Sequence, residues 1–246
     1  MPFWLPFAFL AIALLYAMVG FGGGSSYLAV LALIGVSHTV IPQVALVCNI
    51  IVSGGGVWHF RRTGHLAFGK IAPFIAVSIP MAYLGGRIAV GRDVFIILLA
   101  VSLFAAGART LMPSPDLRGL RHVSTVEAWR IGLPLGAVLG FFAGVVGIGG
   151  GIFLSPALIL IRWADAKGAA AAASVFVLVN SLSGLAGQFT KGIHVDGMLI
   201  PLAVAVLLGG QIGSRLGAYR LPVTRLRHLL GFLVVVVSIR LIWEIV

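Results

Sequence analysis

Apolar residues run along this chain in eight long stretches separated by short polar ones, and glycine interrupts two of the eight. The stretches cover roughly residues 3–36, 40–58, 71–90, 94–112, 128–161, 168–189, 197–214 and 228–246. Each approaches or exceeds the roughly 20 apolar residues that a helix needs to cross a hydrocarbon core. The pattern therefore predicts an all-α, polytopic integral membrane protein with about eight hydrophobic segments.

The two interrupted stretches carry Gly20-Phe21-Gly22-Gly23-Gly24 and Gly147-Ile148-Gly149-Gly150-Gly151, 127 positions apart. After proline, glycine is the residue most costly to a helix interior, so each cluster ends a helix inside an apolar segment. Residues 3–36 number 34, about 51 Å as one helix, which is long for one crossing and short for two. A re-entrant hairpin of two half-length arms fits that length, as does a tilted, kinked single crossing.

The second four stretches repeat the first four in order and length. Ser53-Gly54 matches Ser183-Gly184, Gly64 matches Gly192, Pro73 matches Pro201 and Arg109 matches Arg240. Gly85-Gly86-Arg87-Ile88 likewise matches Gly213-Ser214-Arg215-Leu216. This reads as an internal duplication within one membrane domain: a first repeat at 1–112, a polar linker at 113–127 and a second repeat at 128–246. Broken apolar segments at corresponding places of two halves are the best sequence pointer to a transporter's binding site.

Composition sharpens the class. The chain has 246 residues, is 60% hydrophobic and only 9% charged, with a mean hydropathy of +1.13; a soluble domain is nearer a quarter charged. The net charge of +11 would suggest nucleic acid on a soluble protein, but most basic residues here lie in short loops between apolar runs. Such residues set membrane orientation, so no nucleic-acid partner is expected. If each broken segment enters and leaves on one side, thirteen Lys and Arg fall on one face and four on the other. If each crosses fully, the division is nine against eight. Only the first obeys the positive-inside rule, and it implies inverted halves with both termini outside. The single cysteine, Cys48, excludes an intramolecular disulfide and a cysteine metal cluster, and no cofactor is expected.

The candidate chemistry lies at the breaks. Helical backbone is interrupted at membrane depth only where protein or a polar cavity surrounds it. Freed amides and the positive end of the following helix favour an anion. The candidate binding residues are therefore Gly22, Gly23, Gly24 and Ser25 in the first half, and Gly149, Gly150, Gly151 and Ser155 in the second. The repeats Gly132/Gly136/Gly140 and Gly209/Gly213/Gly217 read instead as close helix packing. Polar residues buried in apolar runs are Asn49, Ser53, Asn180, Ser181, Ser183 and Gln188. Asn49 with Ser53 and Asn180 with Ser183 occupy corresponding segments, each pair spaced for one helix face, and join the candidate site. All six carboxylates fall in loops or near segment ends, which disfavours a cation route or a carboxylate proton relay. No acid, base and nucleophile set appears in the apolar runs, so an enzyme is not expected.

Residues 147–158, Gly-Ile-Gly-Gly-Gly-Ile-Phe-Leu-Ser-Pro-Ala-Leu, resemble the G-x-G-G-G-x4-P-x-L signature of the sulfite exporter TauE/SafE family. The first half has Ala29 where that proline would fall. The resemblance covers essentially the whole chain. It implies a transporter of sulfur-containing anions, such as sulfite or organosulfonates, in the bacterial inner membrane. Joined to the residue-level reading, the expectation is a secondary transporter moving a small anion across the lipid bilayer. A passive anion channel, and a non-transporting membrane subunit whose glycines only pack helices, are the alternatives. A coupling ion and an oligomeric state leave no mark in the pattern.

Overall fold

The computed structural model describes residues 2–112, 124–193 and 197–219, with Phe232, Val235, Ser238 and Ile239 beyond them. Apart from those four residues, the last apolar stretch at 228–246 lies outside the described residues, as do Arg240 and most of the linker.

The fold is all-helical. Among the described residues, six helices are long and apolar enough to cross a membrane: α3 (Ile41–Arg62), α4 (Phe68–Arg87), α5 (Arg92–Leu111), α6 (Thr125–Val146), α8 (Ala166–Phe189) and α9 (Leu199–Tyr219). Three shorter ones, α1 (Leu5–Met18), α2 (Gly24–Leu33) and α7 (Gly151–Leu160), come from the broken stretches. Local chemistry sets several ends. Prolines open α1 and α3, where a missing N–H costs nothing. Ser124 caps α6 by accepting from the Glu127 amide at 3.3 Å, and Asp165 caps α8 by accepting from the Gly168 amide at 2.7 Å.

The second broken stretch departs from two half-length arms. Its first arm, α6, has 22 residues and its second, α7, has 10. The glycine cluster falls late in this stretch, with 128–146 before it, so α6, which opens at Thr125 behind the Ser124 cap, reaches about 33 Å.

Glycine determines which helices touch. Gly132, Gly136, Gly140 and Gly144 lay the α6 backbone on Pro73, Phe74, Ser78 and Ala82 of α4. Gly209, Gly213 and Gly217 lay α9 on Leu10, Leu14 and Met18 of α1 in the same manner. A methyl at any of these seven glycines would strike the facing backbone or, at Gly132, the proline ring, so small residues here permit backbone approach. Both contacts advance in register along both helices, so α6 runs parallel to α4, and α9 parallel to α1.

The centre is the α3–α8 pair, in which 67% of each apolar window is buried, against 33–39% in the other long helices. Gln43 Nε2 donates to the Gly192 carbonyl at one end of this pair. Gly56 meets Ser174 toward the other end, so α3 and α8 run antiparallel. Alongside, α4 runs parallel to α8: Ser183 reaches the Ile79 carbonyl, Gly187 reaches Tyr83 and Lys191 reaches the Ile88 carbonyl. In the same way α9 runs parallel to α3, from Gly210 at Val52 to Tyr219 at His59.

The short helices run the other way. Gly151 faces Ala173 and Val177 while Leu158 lies by Gly168 and Ala172, so α7 is antiparallel to α8 and hence to α6. Gly24 faces Asn49 while Ala32 lies near Ile41, so α2 is antiparallel to α3 and hence to α1. The chain doubles back at each glycine cluster. Around this centre, α5 and α9 expose Ile97, Val101, Phe104, Val204, Leu208 and Ile212, an apolar surface suited to acyl chains.

Candidate functional site

The two glycine segments meet between α3 and α8. After α1 the chain closes with Phe21 N donating to the Tyr16 carbonyl at 2.9 Å, then passes through Gly22 and Gly23 before α2 begins. After α6 the Gly147 amide donates to the Ala143 carbonyl at 2.9 Å, and Ile148, Gly149 and Gly150 lead to α7. Each new helix is preceded by a left-handed glycine, Gly23 at φ 91° and Gly150 at φ 80°, and no side chain caps either one. Only glycine takes that backbone without strain.

The approach is close. A methyl on Gly24 would lie 2.8 Å from the Ile148 carbonyl oxygen, so one break touches the other. A methyl on Gly149 would lie 3.0 Å from Asn49 Nδ2, from Ser181 Oγ and from the Val177 side chain. Gly22 lies against Asn49 Oδ1 and Val177. The amides of Gly22, Gly23, Gly24, Gly149, Gly150 and Gly151 donate no backbone hydrogen bond among the described residues. Two N-terminal helix ends, each equivalent to about half a positive charge, therefore open into the same buried region.

Asn49 ties the breaks together. It is fully buried, and its Nδ2 donates to the Ile148 carbonyl at 3.2 Å. Its Oδ1 has no hydrogen-bond partner among the described residues, and neither do Asn180 Oδ1 and Nδ2 or Ser181 Oγ. All three residues are at most 1% exposed. A buried polar atom without a partner costs about 1–3 kcal/mol, so several together mark a place built for something else to bind. Asn180 sits on the face of α8 between Phe176, which touches Gly150, and Gly184, which touches Gly144.

The other expected residues divide. Ser25 is buried at the start of α2, and its hydroxyl donates to Tyr16 Oη at 3.2 Å, toward α1. Ser53 is spent on its own helix, donating to the Asn49 carbonyl at 2.5 Å. Ser155 is buried within α7. Ser183 is not at the centre: it bonds the Ile79 carbonyl in the α4–α8 seam, and Ser181 faces the glycines in its place. Two positions along a helix turn a side chain by about 200°, and duplication alone does not resolve that rotation.

Sequence reasoning also missed a side cavity of about 300 Å³ where α3 begins and α8 ends. Gln43, Gln188, His38 and Lys191 line it, and its wall includes Pro42, which touches Gly147. Lys191 donates to the Ile88 carbonyl at 3.1 Å, and burial pushes its ammonium below the usual lysine range. Proximity of two polar residues at the two ends of α3 and α8 was the only signal, and it is a tertiary one.

A bundle of membrane-length helices enclosing two uncapped helix ends and unpaired amides is a multi-pass membrane protein with a central polar site. Residues 5–241 match the family described as sulfite exporter TauE/SafE. The chain is 34% identical over 242 residues to the probable membrane transporter protein y4hK of Sinorhizobium fredii, covering 97% of each chain. It is 31% identical over 255 residues to a probable membrane transporter protein of Xylella fastidiosa, covering 92% of each. To the probable membrane transporter protein YunE of Bacillus subtilis it is 26% identical over 230 residues, covering 82% of each. No solved structure matches it. The chain belongs to the TauE/SafE family of membrane transporters.

Proposed function

We propose that this protein is a secondary transporter that moves a small anion, of the sulfite or organosulfonate class, across the cell inner membrane. The observation that carries the reading is the meeting of the uncapped starts of α2 and α7 at buried Asn49 and Ser181, whose Oδ1 and Oγ have no hydrogen-bond partner among the described residues. Freed amides and two dipole ends stabilise negative charge, and the glycines let an oxyanion touch backbone directly. The family resemblance supplies the sulfur chemistry; the site geometry supports an anion of any such kind.

The helix directions support inverted halves. Helices α3 and α8, which correspond in the duplication, run antiparallel, and α1 and α6 hold matching places against α9 and α4. With the chain doubling back at each break, the basic loops gather on the cytoplasmic face as the positive-inside rule requires. Inverted repeats around a midplane site are the arrangement in which one bundle rocks against the other to alternate access. The protein then works without covalent chemistry, and we assign it no enzymatic role.

Replacing Gly150 with Leu tests the site. The residue sits at φ +80°, and even a methyl there would lie 2.8 Å from the Phe176 ring. Sulfite flux into proteoliposomes should be abolished while the variant still inserts into membranes and purifies as a folded protein. Normal flux would remove the glycine breaks from the transport path. Uptake of sulfite against its gradient by the parent protein separates a transporter from a passive channel.

A further inference from the structure

We infer that the central site takes a singly charged oxyanion that itself carries a hydrogen-bond donor, and that it discriminates against dianions. This rests on the anion-site reading above and narrows the class of guest by charge and by hydrogen-bond polarity.

Charge comes first. The side chains that would meet a methyl at Gly22, Gly23, Gly24, Gly149, Gly150 or Gly151 belong to Asn49, Tyr27, Val177, Ser181, Phe176, Ala143 and Ala173. None of these is a Lys, Arg or protonated His. The positive potential therefore comes from the starts of α2 and α7, each worth about half an elementary charge, and together about one. That balances one negative charge. The cost of removing an ion from water grows with the square of its charge, so a dianion costs about four times as much to bury. Nothing on these side chains offsets the excess.

Polarity follows from Asn49. The Ile148 carbonyl can only accept, so the amide group of Asn49 must point its nitrogen there, as its 3.2 Å contact records. That orientation leaves Oδ1, an acceptor, turned to Gly22 with no partner. An oxyanion offering only acceptors would leave Oδ1 unsatisfied and repel it. A guest with one O–H or N–H, such as a protonated oxyanion or an amino-substituted sulfonate, satisfies Oδ1 while its remaining oxygens take the freed amides and the Ser181 hydroxyl.

The test compares three ions on the purified protein at one pH, by calorimetric titration. Sulfamate and methanesulfonate are near in size and carry the same single charge, but one has an amino group where the other has a methyl. Sulfate has the oxygens and two charges. Sulfamate should bind at least about tenfold more tightly than methanesulfonate, with sulfate the weakest of the three. Equal binding of sulfamate and methanesulfonate would overturn the donor requirement, and sulfate binding as tightly as either would overturn the charge limit. If these ions and sulfite all fail to bind, the anion site itself falls, and this inference with it. Asn49→Leu should bring the ratio of sulfamate to methanesulfonate affinity down to about one, whatever it does to either affinity alone. A preference that survives in that variant would remove Asn49 from the role. Should that variant fail to fold, the three-ion comparison on the parent protein decides alone.

Discussion

Two Gly→Ala substitutions, alike in chemistry and opposite in expected outcome, measure how closely the two breaks approach. Gly54 lies inside α3, and among the described residues nothing comes within 4 Å of an added methyl. Alanine there gains helix propensity, about 0.8–1 kcal/mol. Gly24 is the first residue of α2, also at an ordinary backbone angle, so alanine itself is not strained there. Its methyl would strike Asn49 Nδ2 and lie 2.8 Å from the Ile148 carbonyl oxygen. Asn49 must swing away and give up its bond to Ile148, a loss of about 1 kcal/mol, and a buried carbonyl left unpaired adds about 1–3 kcal/mol. Against a propensity gain of at most about 1 kcal/mol, Gly24→Ala should destabilise by about 1–3 kcal/mol. The two variants should thus lie about 2–4 kcal/mol apart. Thermal unfolding in detergent, followed by loss of the monodisperse chromatographic peak, orders the three proteins as Gly54→Ala, parent, Gly24→Ala. Flux in proteoliposomes should persist in the first variant and fall at least tenfold in the other. Parental flux together with an unchanged or raised Tm in Gly24→Ala would refute the meeting of the breaks at Asn49.

Ser181→Ala should weaken anion binding, measured by titration, with little change in Tm, because its hydroxyl has no hydrogen-bond partner among the described residues. Ser183→Ala should do the reverse, costing about 0.6 kcal/mol from the α4–α8 seam and leaving affinity unchanged; interchange of these two phenotypes would show the register of α8 to be wrong. Burial lowers the Lys191 pKa from 10.5, so the folded protein binds fewer protons than the unfolded chain as pH rises toward that value, and stability rises with it. Lys191→Met should remove that rise, seen as a flatter Tm against pH, and raise the KM for anion uptake; a steeper profile would contradict a desolvated ammonium at the cavity mouth.

Much of the fold was legible because glycine and charge act locally. Two clusters that no helix tolerates, at matching places in a repeated pattern, marked the breaks without any knowledge of neighbours. The runs at Gly132/Gly136/Gly140 and Gly209/Gly213/Gly217 read as close packing, and they do press α6 onto α4 and α9 onto α1. The candidate site was legible in its glycines and in Asn49, and less so in its hydroxyls. Ser183 lies in the α4–α8 seam while Ser181 faces the centre, and the cavity that joins Gln188 to Gln43 and Lys191 was not legible. A buried helix that is apolar all round has no polar face to reveal which side turns inward. The unequal arms of the second break follow from where its glycines fall, with residues 128–146 before the cluster and only 152–161 after it.

By itself, then, the sequence determined where helices must stop, that glycine clusters break two of the apolar stretches and that the chain belongs in a bilayer, because backbone strain and transfer from water depend on each residue's own chemistry. Tertiary structure decided which helix starts face each other, which serine meets the glycines and which way the Asn49 amide points. Those outcomes depend on rotations of whole helices and on one carbonyl, that of Ile148, brought beside Asn49 from 99 positions away.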